Sequence, residues 1–204
     1  MAASVARGGM RVLLGVAIIA ALALSSTARA SLIGTGPASY CDTTASQKFS
    51  RWGDSSYYAS LLNGGFESYG GWTLSGGARV VSGNESFFVH SNLDKLSLSL
   101  PAGATATSPP MCISLLSSKM RFLAKGNAGS KIKVQIIYRG IFSQLLGIFD
   151  DGTMSPSGTW NAAPATSMLG GVLPLLTASV SFRFTAVGAA ASIDDVYLDP
   201  WKGT

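Results

Sequence analysis

The sequence is poor in the groups on which most enzymes and nucleic-acid binders depend. Of 204 residues one is histidine and two are cysteine, and charged residues make up only 12%. A single imidazole, His90, excludes a zinc enzyme built on several His or Cys ligands, and any Ser-His-Asp device would have to run through it. His90 lies in Phe87-Phe-Val-His-Ser91, and the chain has no G-x-S-x-G elbow. A glycosidase needs two carboxylates about 5–9 Å apart. The available pool is Glu67, Glu85, Asp150 and Asp151, which a structural metal or a turn explains more simply; Asp150-Asp-Gly152 reads as a turn between strands. The expectation is a protein that is not an enzyme.

Long apolar runs are scarce as well. The one at the amino terminus, Val12 to Leu24, follows Arg7 and Arg11 and precedes the small-residue stretch Ser25-Ser-Thr-Ala-Arg-Ala30. It is too short to span a bilayer core of about 30 Å, which takes roughly 20 residues. Basic flank, apolar core and Ala28-x-Ala30 together read as a secretory signal peptide over residues 1–30. The expected product is secreted, extracellular or cell-wall associated, with no membrane span after cleavage. The signal takes three of the 15 basic residues with it, leaving 12 against 10 acidic ones, and those that remain are dispersed. No dense cationic patch is left for phosphate, so no nucleic-acid partner is expected.

Both cysteines, Cys41 and Cys112, lie in the exported part, where an oxidising compartment favours pairing them. Neither belongs to a CxxC motif. Closing so long a loop is worth roughly 4 kcal/mol by chain entropy. The bridge would tether an irregular lead-in, residues 31–60, whose Tyr40, Trp52, Tyr57 and Tyr58 are available to pack onto the domain at 61–204.

What the exported region has in quantity is short alternation. Lys95-Leu-Ser-Leu-Ser-Leu100 puts Leu96, Leu98 and Leu100 on one face, and Lys131-Ile-Lys-Val-Gln-Ile-Ile-Tyr138 puts Ile132, Val134 and Ile136 inward. Ala178–Phe184 and Ser192–Leu198 repeat the pattern, with one dry and one wet face as in antiparallel sheets. Further strands are expected at Ala78–Ser82, Ser86–His90, Ala104–Ser108, Lys119–Lys125 and Leu145–Phe149, and the apolar, Gly- and Pro-broken segment Leu169–Leu176 reads as a buried loop or short helical turn. Many short strands at this spacing predict an all-β sandwich or barrel.

Leu62-Asn-Gly-Gly-Phe-Glu67 followed by Gly71-Trp72-Thr-Leu74 resembles the first strands of carbohydrate-binding-module jelly rolls, and Ser192-Ile-Asp-Asp-Val-Tyr-Leu198 is similar to the closing strand of that galactose-binding-like superfamily. The resemblance implies a jelly-roll β-sandwich of antiparallel strands over residues 62–199, with carbohydrate as the ligand class. It also implies a calcium site where first and last strands meet, with Glu67 and Asp194 or Asp195 as the matching carboxylates. On an alternating strand Asp194 and Asp195 point to opposite faces, so one alone should join Glu67. Asp194 is the better ligand if the Val196 and Leu198 face is the core.

Sugar recognition needs aromatic faces with amides and hydroxyls around them. Trp72 and Trp160 read as packing residues. Of the adjacent Phe87 and Phe88 a strand would turn one outward, and that residue with His90 and Tyr138 forms the expected recognition surface. Two function classes follow: a secreted non-catalytic module binding extracellular or cell-wall carbohydrate, and a structural or adhesive surface protein engaging other proteins. The apolar stretches Gly140–Phe149 and Met168–Thr177 favour the second.

Overall fold

Among the described residues, alternating sequence becomes twelve strands. The structure, a computed structural model, describes residues 44–68, 70–111, 119–167 and 177–199. The expected signal peptide over residues 1–30, Tyr40, Cys41, Cys112 and the apolar segment 169–176 lie outside the described residues. In chain order a 3-10 turn at Ser50–Trp52 precedes β1 (Ala59–Ser60), β2 (Thr73–Ser75), β3 (Arg79–Ser82), β4 (Leu96–Leu100), β5 (Thr105–Thr107), β6 (Lys119–Gly126), β7 (Lys131–Arg139), β8 (Leu145–Met154), β9 (Asn161–Ala162), β10 (Thr166–Ser167), β11 (Ser179–Val187) and β12 (Ala191–Leu198). One sheet runs β10-β6-β12-β4-β3, with β1 added on β12 and β9 on β6; the other runs β2-β5-β11-β7-β8. Every pairing is antiparallel. The fold is a β-sandwich.

The core lies between the sheets. Leu98, Leu100, Phe122, Ile193 and Val196 from one sheet meet Ile132, Val134, Ile136, Phe182 and Phe184 from the other, all buried, with Phe122 and Phe184 edge to face at 5.0 Å. Each such side chain stabilises the fold by roughly 1.5–3 kcal/mol over its exposed state. Trp72 packs on Phe66 and Phe184 as expected of a core residue.

A second apolar cluster covers the outer side of β6 and β12. Phe49 and Tyr58 from the lead-in, Leu123, Trp160 and Tyr197 form it, with Trp52 and Phe87 against its rim. β6 and β12 are therefore buried on both faces, and the pattern of one dry and one wet face fails for them. Residues 44–60 belong to the sandwich. β1 pairs Ala59 with Leu198, and Asp54 accepts hydrogen bonds from the Ser56 N–H, the Tyr58 hydroxyl at 2.7 Å and the Arg121 guanidinium at 2.7 Å.

Two expected elements differ. Asp150-Asp-Gly152 is no turn but the middle of β8, because pairing with β7 continues on both sides: Gln135 opposes Asp150 and Val134 opposes Gly152, leaving Asp151 as a one-residue bulge. Ser86–His90 is no strand. The buried Glu85 carboxylate accepts the N–H groups of Phe87 and Val89, and Phe88 adopts a left-handed φ of 53°, so these amides serve a loop rather than a ladder.

Candidate functional site

The densest chemistry sits where the 85–95 loop covers β12. Glu85, Asp94, Asp194 and Asp195 are all buried there, four carboxylates facing one short stretch of chain. A bulge explains the arrangement. Asp194 opposes Leu123 but Tyr197 opposes Arg121, so β12 spends one residue more than β6, and Asp195 takes a left-handed φ of 49°. Strand parity is broken at that residue. Asp194 and Asp195 are consequently both buried, and Asp194 does not share the core face of Val196 and Leu198.

Asp194 is committed to the backbone, accepting the Glu85 N–H at 3.0 Å and the Asp195 N–H at 2.9 Å. Burial pushes its carboxyl up to about 9, helped by the neighbouring Asp195 charge and opposed by those two N–H groups. Burial raises Asp195 too, against the pull of the His90 N–H, which donates to its Oδ2 at 2.9 Å. The other oxygen, Asp195 Oδ1, is buried without a partner among the described residues. A carboxylate oxygen of Asp195, a ring nitrogen of His90 and a carboxylate oxygen of Asp94 lie within 4.8 Å of one another.

Glu67 is not in this group. It is exposed, and its Oε1 accepts the N–H groups of Lys95 and Leu96 at 2.7 and 2.6 Å, pinning the start of β4. Glu67 and Asp194 each accept backbone N–H groups, and the three-donor group found among the described residues is Asp195 with His90 and Asp94. Asp94 carries no motif in the sequence. The available signals were its i, i+4 spacing from the lone histidine and the Gly64-Gly65 pair, which allows a close approach.

The expected aromatic surface does not form as one patch. Tyr138 points inward, buried edge to face on Phe149 at 5.3 Å, because it shares parity with Ile132, Val134 and Ile136. Phe87 packs edge to face on Trp52 at 4.9 Å with the Arg51 guanidinium above it, whereas Phe88 is exposed. Trp160 is buried beneath the Lys125 ammonium, a packing residue as read from the sequence.

The five-stranded sheet has an outer face of a different kind. Register places Thr73, Thr107, Arg183, Gln135 and Asp150 in one row across all five strands, with Ser75, Thr105, Thr185, Lys133 and Thr153 in the next. None of these side chains is buried. They are linked by hydrogen bonds: Ser75 to Thr105 at 2.6 Å, Gln135 to Asp150 at 2.7 Å, and the Lys133 ammonium to the same carboxylate at 2.9 Å. The face offers hydroxyl, amide and charged groups in a plane. Beside the β8 bulge a cleft of about 310 Å³ is lined by Phe122, Met154, Thr166 and the carboxyl of Asp151, which burial raises.

No protein-family model matches the chain, and no curated protein matches it in sequence. Solved structures match its fold. The carbohydrate-binding module TmCBM61, determined in complex with beta-1,4-galactotriose, is 20% identical with a TM-score of 0.51, over 70% of this chain and 99% of that one. The CBM22-1 and GH10 modules of a Clostridium thermocellum endo-1,4-beta-D-xylanase, complexed with xylohexaose, are 15% identical with a TM-score of 0.50, over 71% of this chain and 29% of that one. The enzymatically active domain of bacteriophage CBA120 tailspike protein 4 is 18% identical with a TM-score of 0.49, over 68% of this chain, which spans only 21% of the tailspike chain. The sandwich has the fold of the carbohydrate-binding-module jelly rolls, as the two end motifs implied.

Proposed function

We propose that the chain is an exported, non-catalytic module that binds carbohydrate across the outer face of its five-stranded sheet. The observation that carries this reading is the double row of outward-facing, exposed or half-buried hydroxyl, amide and charged side chains from Thr73 to Asp150, on a fold whose similar structures include modules complexed with beta-1,4-galactotriose and xylohexaose. Sugar hydroxyls are met there by Thr107, Arg183, Gln135 and Asp150. No aromatic side chain belongs to either row, so binding rests on hydrogen bonds and is weak for any single sugar unit. Isothermal titration of the purified protein with galactan, xylan and glucan oligosaccharides tests the proposal. Binding of one class, lost in Arg183→Ala and Gln135→Ala, supports it; no heat with any of them in folded protein refutes it.

A second reading, a structural or adhesive surface protein, is favoured by the β7–β8 hairpin. Ile141, Phe142, Leu145 and Ile148 are all exposed there, Phe142 at 83%. Under that reading Phe142→Ser weakens association with another protein and leaves sugar titrations flat.

A further inference from the structure

We propose that His90, Asp94 and Asp195 form a binding site for a zinc-class divalent metal, which staples the 85–95 loop to the bulge of the last strand. The inference goes beyond carbohydrate binding and departs from the calcium that the end motifs imply. The donor atoms on the page are one imidazole nitrogen and two carboxylate oxygens, within 4.8 Å of one another. Calcium takes six to eight oxygens at about 2.3–2.6 Å, and Glu67, its expected ligand, is turned to the N–H groups of Lys95 and Leu96. Imidazole with two carboxylates suits zinc and its transition-metal neighbours.

Three features single out this point from an ordinary acidic cluster. Asp195 is 1% exposed, yet its Oδ1 has no hydrogen-bond partner among the described residues. A buried carboxylate oxygen left so is costly unless something positive meets it. That oxygen faces a space kept open by Gly65: a Cβ there would stand 3.1 Å from Asp195 Oδ1, 3.6 Å from His90 Nδ1 and 3.7 Å from Asp94 Oδ2. The absent methyl thus touches all three donors at once. Finally, the donors are held in place by their own backbone, since the His90 N–H fixes Asp195 through Oδ2 and leaves Oδ1 free to point inward.

The donor atoms must shift to share an ion. Ligand atoms about 2.0–2.2 Å from a tetrahedral ion stand roughly 3.3–3.5 Å apart. His90 Nδ1 and Asp94 Oδ2, hydrogen-bonded at 2.7 Å, must part by roughly 0.6–0.8 Å. The His90 side chain is 43% exposed, so a fourth position is left to water. Three protein ligands plus one exchangeable position predict a site that loads from solution.

Purified protein, stripped with chelator and verified metal-free, is titrated with zinc and separately with cobalt and calcium. One zinc ion should bind per chain, and cobalt should give the visible d–d absorption of a low-coordinate N/O site. His90→Ala, shown to be folded by circular dichroism, should weaken zinc by more than the roughly 10- to 100-fold that an outer-shell partner is worth. Gly65→Ala, which fills the space, should lose cobalt absorption; Glu67→Gln should not. Failure of folded protein to bind zinc overturns the site, as does zinc affinity unchanged in His90→Ala. Calcium binding in preference to zinc, lost in Glu67→Gln rather than in His90→Ala, overturns it in favour of the oxygen-ligand site.

Discussion

Asp54 ties the lead-in to the sandwich, and neutralising it as Asp54→Asn tests whether that tie is structural. The carboxylate accepts from Ser56, Tyr58 and Arg121, and the Arg121 guanidinium it faces is itself buried, with its Nε on the Ala163 carbonyl at 2.8 Å and its plane 5.0 Å from the Phe49 ring. Burial alone would raise this carboxyl, but the hydrogen bonds from Tyr58, Ser56 and Arg121 outweigh it and hold the group at about 2, below its ordinary 3.8. A full unit of such a shift corresponds to about 1.4 kcal/mol, and solvent screening at the rim trims the whole to roughly 1–2 kcal/mol. For a domain of this size that is a melting temperature lower by about 2–8 °C at neutral pH. The sign with pH follows. A depressed carboxyl contributes stability above its unfolded value and loses it as pH falls from 3.8 through about 2. Scanning calorimetry of both proteins at pH 7, 4 and 2 should therefore show a gap that closes on acidification. Equal melting temperatures at pH 7, or a gap that persists unchanged at pH 2, would refute the reasoning.

Tyr138→Ala should cost roughly 3–5 kcal/mol, as removal of a large buried aromatic does, and leave sugar affinity unaltered in chemical denaturation and titration; lost affinity at unchanged stability would put the ring back on the surface. Cys41 and Cys112 should be linked in secreted protein whose amino terminus is Ser31. Two free thiols in the denatured, unreduced product, or a retained Met1–Ala30, would contradict the reading of export.

The parts of the fold that alternate were legible. β4, β7 and β11 follow from Leu96 to Leu100, Ile132 to Ile136 and Val180 to Phe184, where a period of two meets one buried face. Tyr138 is expected on the recognition surface, although its parity with Ile136 puts it in the core. Less could be read from β6 and β12, because a strand covered on both sides loses its alternation: Arg121, Leu123 and Tyr197 face a second apolar layer supplied by residues 44–60, distant in sequence. The site was hidden by one backbone angle. With Asp195 in the left-handed region the parity argument for Asp194 inverts, and no residue pattern announces a left-handed aspartate in Ser192-Ile-Asp-Asp-Val196. Glu67, expected as a calcium ligand where first and last strands meet, accepts the N–H groups of Lys95 and Leu96 at the start of β4, a role no motif announces.

The central claim is that the face from Thr73 to Asp150 is where carbohydrate binds, and amide chemical-shift mapping tests it most directly. Titration of labelled protein with an oligosaccharide that binds should move the resonances of β2, β5, β11, β7 and β8 in the two polar rows, centred on Arg183 and Gln135. Shifts confined to Phe88 and the 85–95 loop, or to the hairpin at Ile141 and Phe142, would place the sugar elsewhere and contradict the account.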